Sequence, residues 1–280
     1  MSDFPFEPRT TQFSKNNALC CAKASALAYE NGDRVGEKLK QWGFEKFKFF
    51  DHKGTQAFIA ATKELILVSF RGTEPTKLQD LASDADLRMT PGPGGKVHSG
   101  FLRALNQVME GVHWTIREYK EEYINKLETG SGQQPPSLWF TGHSLGAGLA
   151  TLAVAKMRIE NEDHEEPVHG LYTYGSPRVG NKEFSEKFNA NFKNQTFRIV
   201  NNNDIVTRVP IRAHGYRHIG QFWYITSEGK LENDIGFWNL ELDRIKGRIE
   251  DIGKIGGDGL KDHFMEDEYI PNLTKIANSV

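Results

Sequence analysis

The chain is poor in cysteine: it has two in 280 residues, Cys20 and Cys21, and they are adjacent. Neighbouring α-carbons stand about 3.8 Å apart, less than a disulfide normally spans, which argues against a bridge between them. Their Ala-rich surroundings read as helix, so packing is the first interpretation and a redox role the alternative. Cysteine scarcity also fits a reducing compartment. Neither sign of charge is in excess: Lys and Arg number 35 against 37 Asp and Glu, and the formal net charge is -2. Nucleic acid and anionic membrane surfaces therefore have no electrostatic claim as partners. No apolar run reaches the length of about 18 residues that a transmembrane helix needs, so no transmembrane segment is expected. The opening residues MSDFPFEPRT lack a basic stretch followed by an apolar one, so no secretory signal is visible. The expected localisation is cytoplasmic by default, with secretion open for a chain trimmed at its start. No Cys/His pair has metal-ligand spacing, so neither a metal nor a cofactor is expected.

What is present is a repeated switch between short apolar runs and helical spacing. Leu65, Ile66, Leu67, Val68 and Phe70 read as a strand covered on both faces. From Ser99, the residues Phe101, Leu105, Val108, Met109, Val112 and Ile116 fall on one helical face. Leu138 to Phe140 predicts a second strand, Leu145 to Met157 a helix, and Lys182 to Phe192 another helix. Leu171–Tyr174, Phe197–Val200 and Ile219–Ile225 predict three further strands. Such alternation specifies an α/β fold with a mainly parallel central sheet flanked by helices. With 38% hydrophobic residues, the length suits one domain over residues 1–280. Residues 226–260, with glycines at 253, 256, 257 and 259, have no assigned place on the sheet.

The strongest chemical signal is Gly142-His143-Ser144-Leu145-Gly146, a G-x-S-x-G pattern between a predicted strand and a predicted helix. A serine on so sharp a turn has a strained backbone, and small residues two before and two after it relieve the crowding. The turn also sets the serine oxygen at a helix N-terminus, where N–H groups favour developing negative charge. The alternative is a glycine-rich cap in which Ser144 only holds backbone amides. A plain cap has no need of glycine on both sides.

Around this motif the sequence resembles the class 3 lipases, the group that includes filamentous-fungal triacylglycerol lipases. The matching stretches are Val68-Ser69-Phe70-Arg71-Gly72-Thr73, Val97-His98-Ser99-Gly100-Phe101, the serine motif itself, and Tyr174-Gly175-Ser176-Pro177-Arg178-Val179-Gly180-Asn181. Asn203-Asp204-Ile205-Val206 with Val209-Pro210 continues the series, and Asp262-His263 closes it. The resemblance spans roughly residues 60 to 265, and the stretch before it offers little beyond a packing helix. It implies an α/β-hydrolase fold and a triad of Ser144, Asp204 and His263. It also implies an oxyanion hole from the backbone N–H of Leu145 and from Thr73. Read without it, Asp204 is equally an Asx-turn residue after Asn201, Asn202 and Asn203, and Thr73 an ordinary turn residue. Among 9 histidines, His263 is the expected base, on a late loop that can reach back over the sheet. His218 is the next candidate. His98 matches a position that is usually structural, and His143, adjoining the serine, would point elsewhere.

Relatives of this kind carry an amphipathic lid between the oxyanion residue and the V-H-x-G-F stretch. Here that interval is residues 74–96, where Leu78, Leu81, Ala82, Ala85 and Met89 fall on one helical face and Pro91 to Gly95 supply a hinge. Leu81 or a neighbour stands where the fungal lipases usually have tryptophan, and Asp80, Asp84 and Asp86 lie close by. A fixed surface helix is the alternative. The expectation overall is a serine carboxylic-ester hydrolase with an ester or lipid substrate, in transient contact with a lipid interface. Esterases or acyltransferases for small soluble esters and phospholipases are the rivals, and a hydrolase-shaped binding protein is the rival from another class.

Overall fold

A computed structural model of the chain describes residues 3–73, 87–126, 134–160, 167–233 and 261–279. Its centre is an eight-stranded sheet built from β1 (Lys46–His52), β2 (Thr55–Ala61), β3 (Leu65–Phe70), β6 (Ser137–His143), β7 (Val168–Tyr174), β8 (Thr196–Asn201), β9 (Gln221–Ile225) and β10 (Leu231–Asn233), in that spatial order. The five strands from β3 to β9 run parallel, and antiparallel strands close both edges. Every residue of β3, β6 and β8 is buried, which is why the interior strands read as apolar runs. A separate hairpin pairs β4 (Met89–Gly92) with β5 (Gly95–His98).

Helices cover both faces. On one lie α3 (Ser99–Asn106), α4 (Met109–Asn125), α5 (Leu145–Ala155) and α6 (Lys182–Phe192), which bury Phe101, Val112, Leu149 and Phe184 with Phe140 of β6. On the other, α1 (Lys15–Leu27), α2 (Gly32–Gln41) and α7 (Ile270–Asn278) enclose Trp139, Tyr172 and Phe197. Pleating sends alternate residues of each strand to opposite cores: Phe140 packs with the first set and Trp139 with the second. Ser14 caps α1 by accepting a hydrogen bond from Asn17 N. Cys20 and Cys21 are free and buried. Burial pushes the Cys20 thiol up to about 12 and Cys21 well above its ordinary value. Thiols so disfavoured as thiolates are packing residues.

Several expectations need correction. The first 60 residues hold not one helix but α1, α2 and the hairpin β1–β2. That hairpin turns on Lys53 and Gly54, whose φ values of 49° and 81° suit a tight two-residue connection. The helix expected from Ser99 through Ile116 is broken. Gln107 N and Val108 N bond to the carbonyls of Ala104 and Leu105, a tightened turn that re-aims the chain so that Val108 and Met109 both reach the core. Met89 lies on no helix: it pairs with His98 across the β4–β5 hairpin, where Pro91 and the glycines at 92, 94 and 95 form strand ends and turn. The remaining lid positions, Leu78, Leu81, Ala82 and Ala85, lie outside the described residues.

Candidate active site

β6 ends at the floor of the site, and the chain reverses at Ser144 into α5. Ser144 has φ 57° and ψ -128°, a conformation L-residues rarely adopt. The two glycines explain why the turn closes. A Cβ on Gly142 would stand 2.7 Å from Ala147 N, and one on Gly146 would stand 2.8 Å from the carbonyl carbon of Arg71. Strand, helix and the end of β3 are therefore in backbone contact at this point. Ser144 N donates to the carbonyl of Tyr174 at the end of β7 (3.0 Å), which fixes the elbow to the sheet.

Asp204 follows β8, and its carboxylate has three donors. Oδ1 accepts from Val206 N (2.9 Å); Oδ2 accepts from His263 Nδ1 (2.9 Å) and from the Tyr269 hydroxyl (2.7 Å). A carboxylate can only accept at these contacts, so Nδ1 of a neutral His263 carries its proton and Nε2 presents a lone pair. Ser144 and His263 are both fully buried at 0% exposure, and neither Ser144 Oγ nor His263 Nε2 has a hydrogen-bond partner among the described residues. The cost of leaving buried polar atoms unpaired makes such a pair unusual. Gly175, with φ 55°, leaves the space these groups fill: a Cβ there would stand 2.6 Å from the imidazole Nδ1 and 2.7 Å from Asp204 Oδ2.

The turn that carries His263 is fastened from several sides. Asn203 N donates to Asp262 Oδ2 (2.9 Å), and Asn201 Nδ2 donates to the Asp262 carbonyl (3.1 Å). His143 Nε2 donates to the carbonyl of His263 (2.7 Å), which leaves His143 Nδ1 to accept from the Tyr29 hydroxyl (2.8 Å). Burial, with His263 beside it, holds His143 well below the usual histidine range, so it stays neutral as this geometry requires. Burial also pushes Tyr269 well above the usual phenol range, and the Asp204 charge adds to the effect, so Tyr269 remains a donor.

The positions named in sequence divide accordingly. Asp204 and His263 are hydrogen-bonded, and Ser144 stands on the elbow. Leu145 opens α5, so its N–H has no acceptor within the helix. Thr73 follows β3 by way of Gly72, where a Cβ would stand 3.1 Å from the Ser144 Cβ. Two other candidate histidines serve the scaffold: His98 Nδ1 accepts from Gly100 N and Phe101 N at the start of α3, and His218 Nε2 donates to the Thr207 carbonyl (2.8 Å). Sequence reasoning missed Tyr269, Tyr29 and the Asn201–Asp262 contact. Only the Asn-rich run before Asp204 hinted at the last. Among the described residues no group of three or more His, Cys, Asp or Glu is placed to hold a metal ion, and no helix is long and apolar enough to cross a membrane.

An open, mainly parallel sheet with a serine on a strand-to-helix elbow defines an α/β-hydrolase fold. Comparison with known proteins narrows this. Residues 67–214 match the family described as lipase (class 3), and the chain belongs to that family. It is 31% identical over 262 residues to the triacylglycerol lipase OBL1 of Arabidopsis thaliana, covering 76% of this chain and 50% of the relative. It is 34% identical over 157 residues to the phospholipase A(1) DAD1, chloroplastic, of the same plant, covering 52% of this chain and 33% of the relative. The chain thus spans about half the length of the OBL1 lipases it matches. The triacylglyceride lipase structure of Rhizomucor miehei superimposes with a TM-score of 0.65 at 22% identity, over 91% of this chain and 96% of that one, which establishes the likeness of fold.

Proposed function

We propose that the protein is a serine carboxylic-ester hydrolase that acts on lipid esters through an acyl-enzyme. One observation carries the reading: Ser144 Oγ and His263 Nε2 are buried without partners among the described residues, while the other imidazole nitrogen is on Asp204. In the proposed reaction, His263 Nε2 takes the Ser144 proton as Oγ attacks the ester carbonyl, then delivers it to the departing alcohol. Asp204 fixes the tautomer and stabilises the imidazolium. The N–H groups of Leu145 and Thr73 receive the tetrahedral oxyanion, and water repeats the sequence to release the acid. Residues 1–280 are read as one hydrolase unit. The triacylglycerol lipase relatives favour acylglycerols as substrates, and the phospholipase A(1) match favours phospholipid esters as the second reading. Leu78, Leu81, Ala82 and Ala85 are assigned to a lid whose apolar face meets a lipid interface.

Ser144→Ala tests the chemistry, since it removes one unpartnered atom and leaves the core intact. Hydrolysis is expected to fall below about a hundredth of the parent rate with unchanged unfolding; a larger residue of activity excludes Ser144 as nucleophile. Rates across acetyl to palmitoyl esters, below and above substrate aggregation, test the substrate class. A maximum at long chains with a jump at the interface supports a lipase, and a maximum at short chains without one makes the protein an esterase.

A further inference from the structure

On the face of β8 opposite Asn201, a cavity of about 470 Å³ is lined by Arg178, Arg198, Arg208 and Arg212, with Phe222 and Ile211 beside them. The four arginines come from separate places: the loop after β7, the middle of β8, and two short turns, Val206–Arg208 and Arg212–His214. Among the described residues no Asp or Glu lines the cavity.

Arg198 is the anomaly. Its side chain is buried within the sheet face, its Nε has no hydrogen-bond partner among the described residues, and its guanidinium carbon lies over the Phe222 ring, 4.7 Å from the centroid. A buried guanidinium is costly without a counter-charge, and buried arginines are nearly always paired. Burial, with Arg178 nearby, brings Arg198 down to about 10, which still leaves it charged at neutral pH. Among the described residues, no carboxylate stands beside it. Arg178 is spent on backbone, donating to the carbonyls of Arg208 and Pro210, and Arg208 Nη2 reaches Asn203 Oδ1 (3.4 Å). Arg212 stands exposed at the rim, next to Ile211 at 48% exposure.

We propose that this pocket binds a phosphate group, carried by a soluble phosphate or by the headgroup of an anionic phospholipid. A planar carboxylate is satisfied by one forked guanidinium, whereas a tetrahedral dianion accepts from several directions, as arginines on separate segments would supply. The site is separate from the catalytic elbow and does not depend on the ester-hydrolase reading. It shares only the turn after Asp204, whose carbonyl accepts from Thr207 Oγ1 (2.8 Å).

The test uses the full chain carrying Ser144→Ala, so that no substrate is consumed. Inorganic phosphate is titrated calorimetrically at constant ionic strength. In parallel, the protein is sedimented with vesicles of phosphatidylcholine alone, or of phosphatidylcholine and phosphatidic acid in equal amounts. Arg212→Gln removes one exposed rim charge and is expected to weaken binding about five-fold. Arg103→Gln, an equal loss of charge on exposed α3 surface, is expected to leave it unchanged. Arg198→Gln, where it folds, is expected to abolish binding. Saturable phosphate binding that follows this pattern supports a soluble ligand. Retention only on phosphatidic acid vesicles, with the same pattern, supports a headgroup. Binding to neither, or equal losses in Arg212→Gln and Arg103→Gln, overturns the proposal.

Discussion

Replacing Tyr269 by phenylalanine removes a single oxygen and leaves the ring, so no cavity opens. That oxygen does two things: it donates to Asp204 Oδ2 at 2.7 Å and accepts from Asn201 N at 3.0 Å, both in buried surroundings. A hydrogen bond to a charged group contributes about 1.5–3 kcal/mol, and a buried N–H left unpaired costs about 1–3 kcal/mol. Because the two effects share one atom and the site can relax, the expected loss of stability is about 2–4 kcal/mol. Catalysis should suffer less. Asp204 keeps Val206 N and His263 Nδ1, so the imidazole stays on its carboxylate and only the rigidity of the pair is reduced. A fall in kcat/KM of about ten-fold corresponds to about 1.4 kcal/mol of lost transition-state stabilisation. Urea unfolding gives the first quantity and steady-state ester hydrolysis the second. A variant as stable as the parent within about 0.5 kcal/mol would refute the stability argument. A loss beyond about a thousand-fold would show that Tyr269 takes part in the reaction and does not merely position Asp204.

Gly146→Ala is expected to cost at least about 3 kcal/mol or to prevent folding, because its Cβ meets the backbone at the end of β3 and not a movable side chain; soluble yield and urea midpoint report it. His143 and His218 are both held well below the ordinary histidine range by burial, with His263 adding to the first and Arg198 and Arg178 to the second. The unfolded chain therefore takes up protons first as pH falls. Stability should be full above about 6.5 and decline below it by about 1.4 kcal/mol per pH unit for each histidine, and urea midpoints that stay level down to pH about 5 would contradict this. Lys53 has φ 49° in the β1–β2 turn, so Lys53→Asn should raise stability by about 0.5 kcal/mol, measured in the same way.

How much of this was legible in the sequence depended on how local the cause was. The interior parallel strands are buried on both faces, so β3 and β6 stood out by their apolar runs, and β8 by Phe197, Ile199 and Val200 despite Arg198. The edge strand β1 did not, since Lys46, Lys48 and Asp51 interrupt its phenylalanines. Such charges blunt an exposed edge and erase the apolar pattern in doing so. The break at Gln107 and the strand at Met89 are decided by what the chain packs against, which periodicity cannot register. At the site, the elbow announced itself because its glycines answer a local steric demand. Tyr269 did not, because its hydroxyl meets Asp204 only after the C-terminal segment has folded back on the sheet. Tyr29 reaches the site through His143, a neighbour 114 positions away, and nothing near either residue marks that meeting.

The elbow also says how such a chain can drift. Ser144 bears its hydroxyl on a backbone held by others, so exchanging that one side chain removes an atom without disturbing the turn. Gly142 and Gly146 allow no such exchange, because each stands where strand, helix and sheet edge touch. A descendant that abandoned the chemistry would therefore lose the serine first and keep the glycines. Within this motif the glycine pair is a record of architecture, and Ser144 is the residue that bears on whether a chain can carry the proposed chemistry.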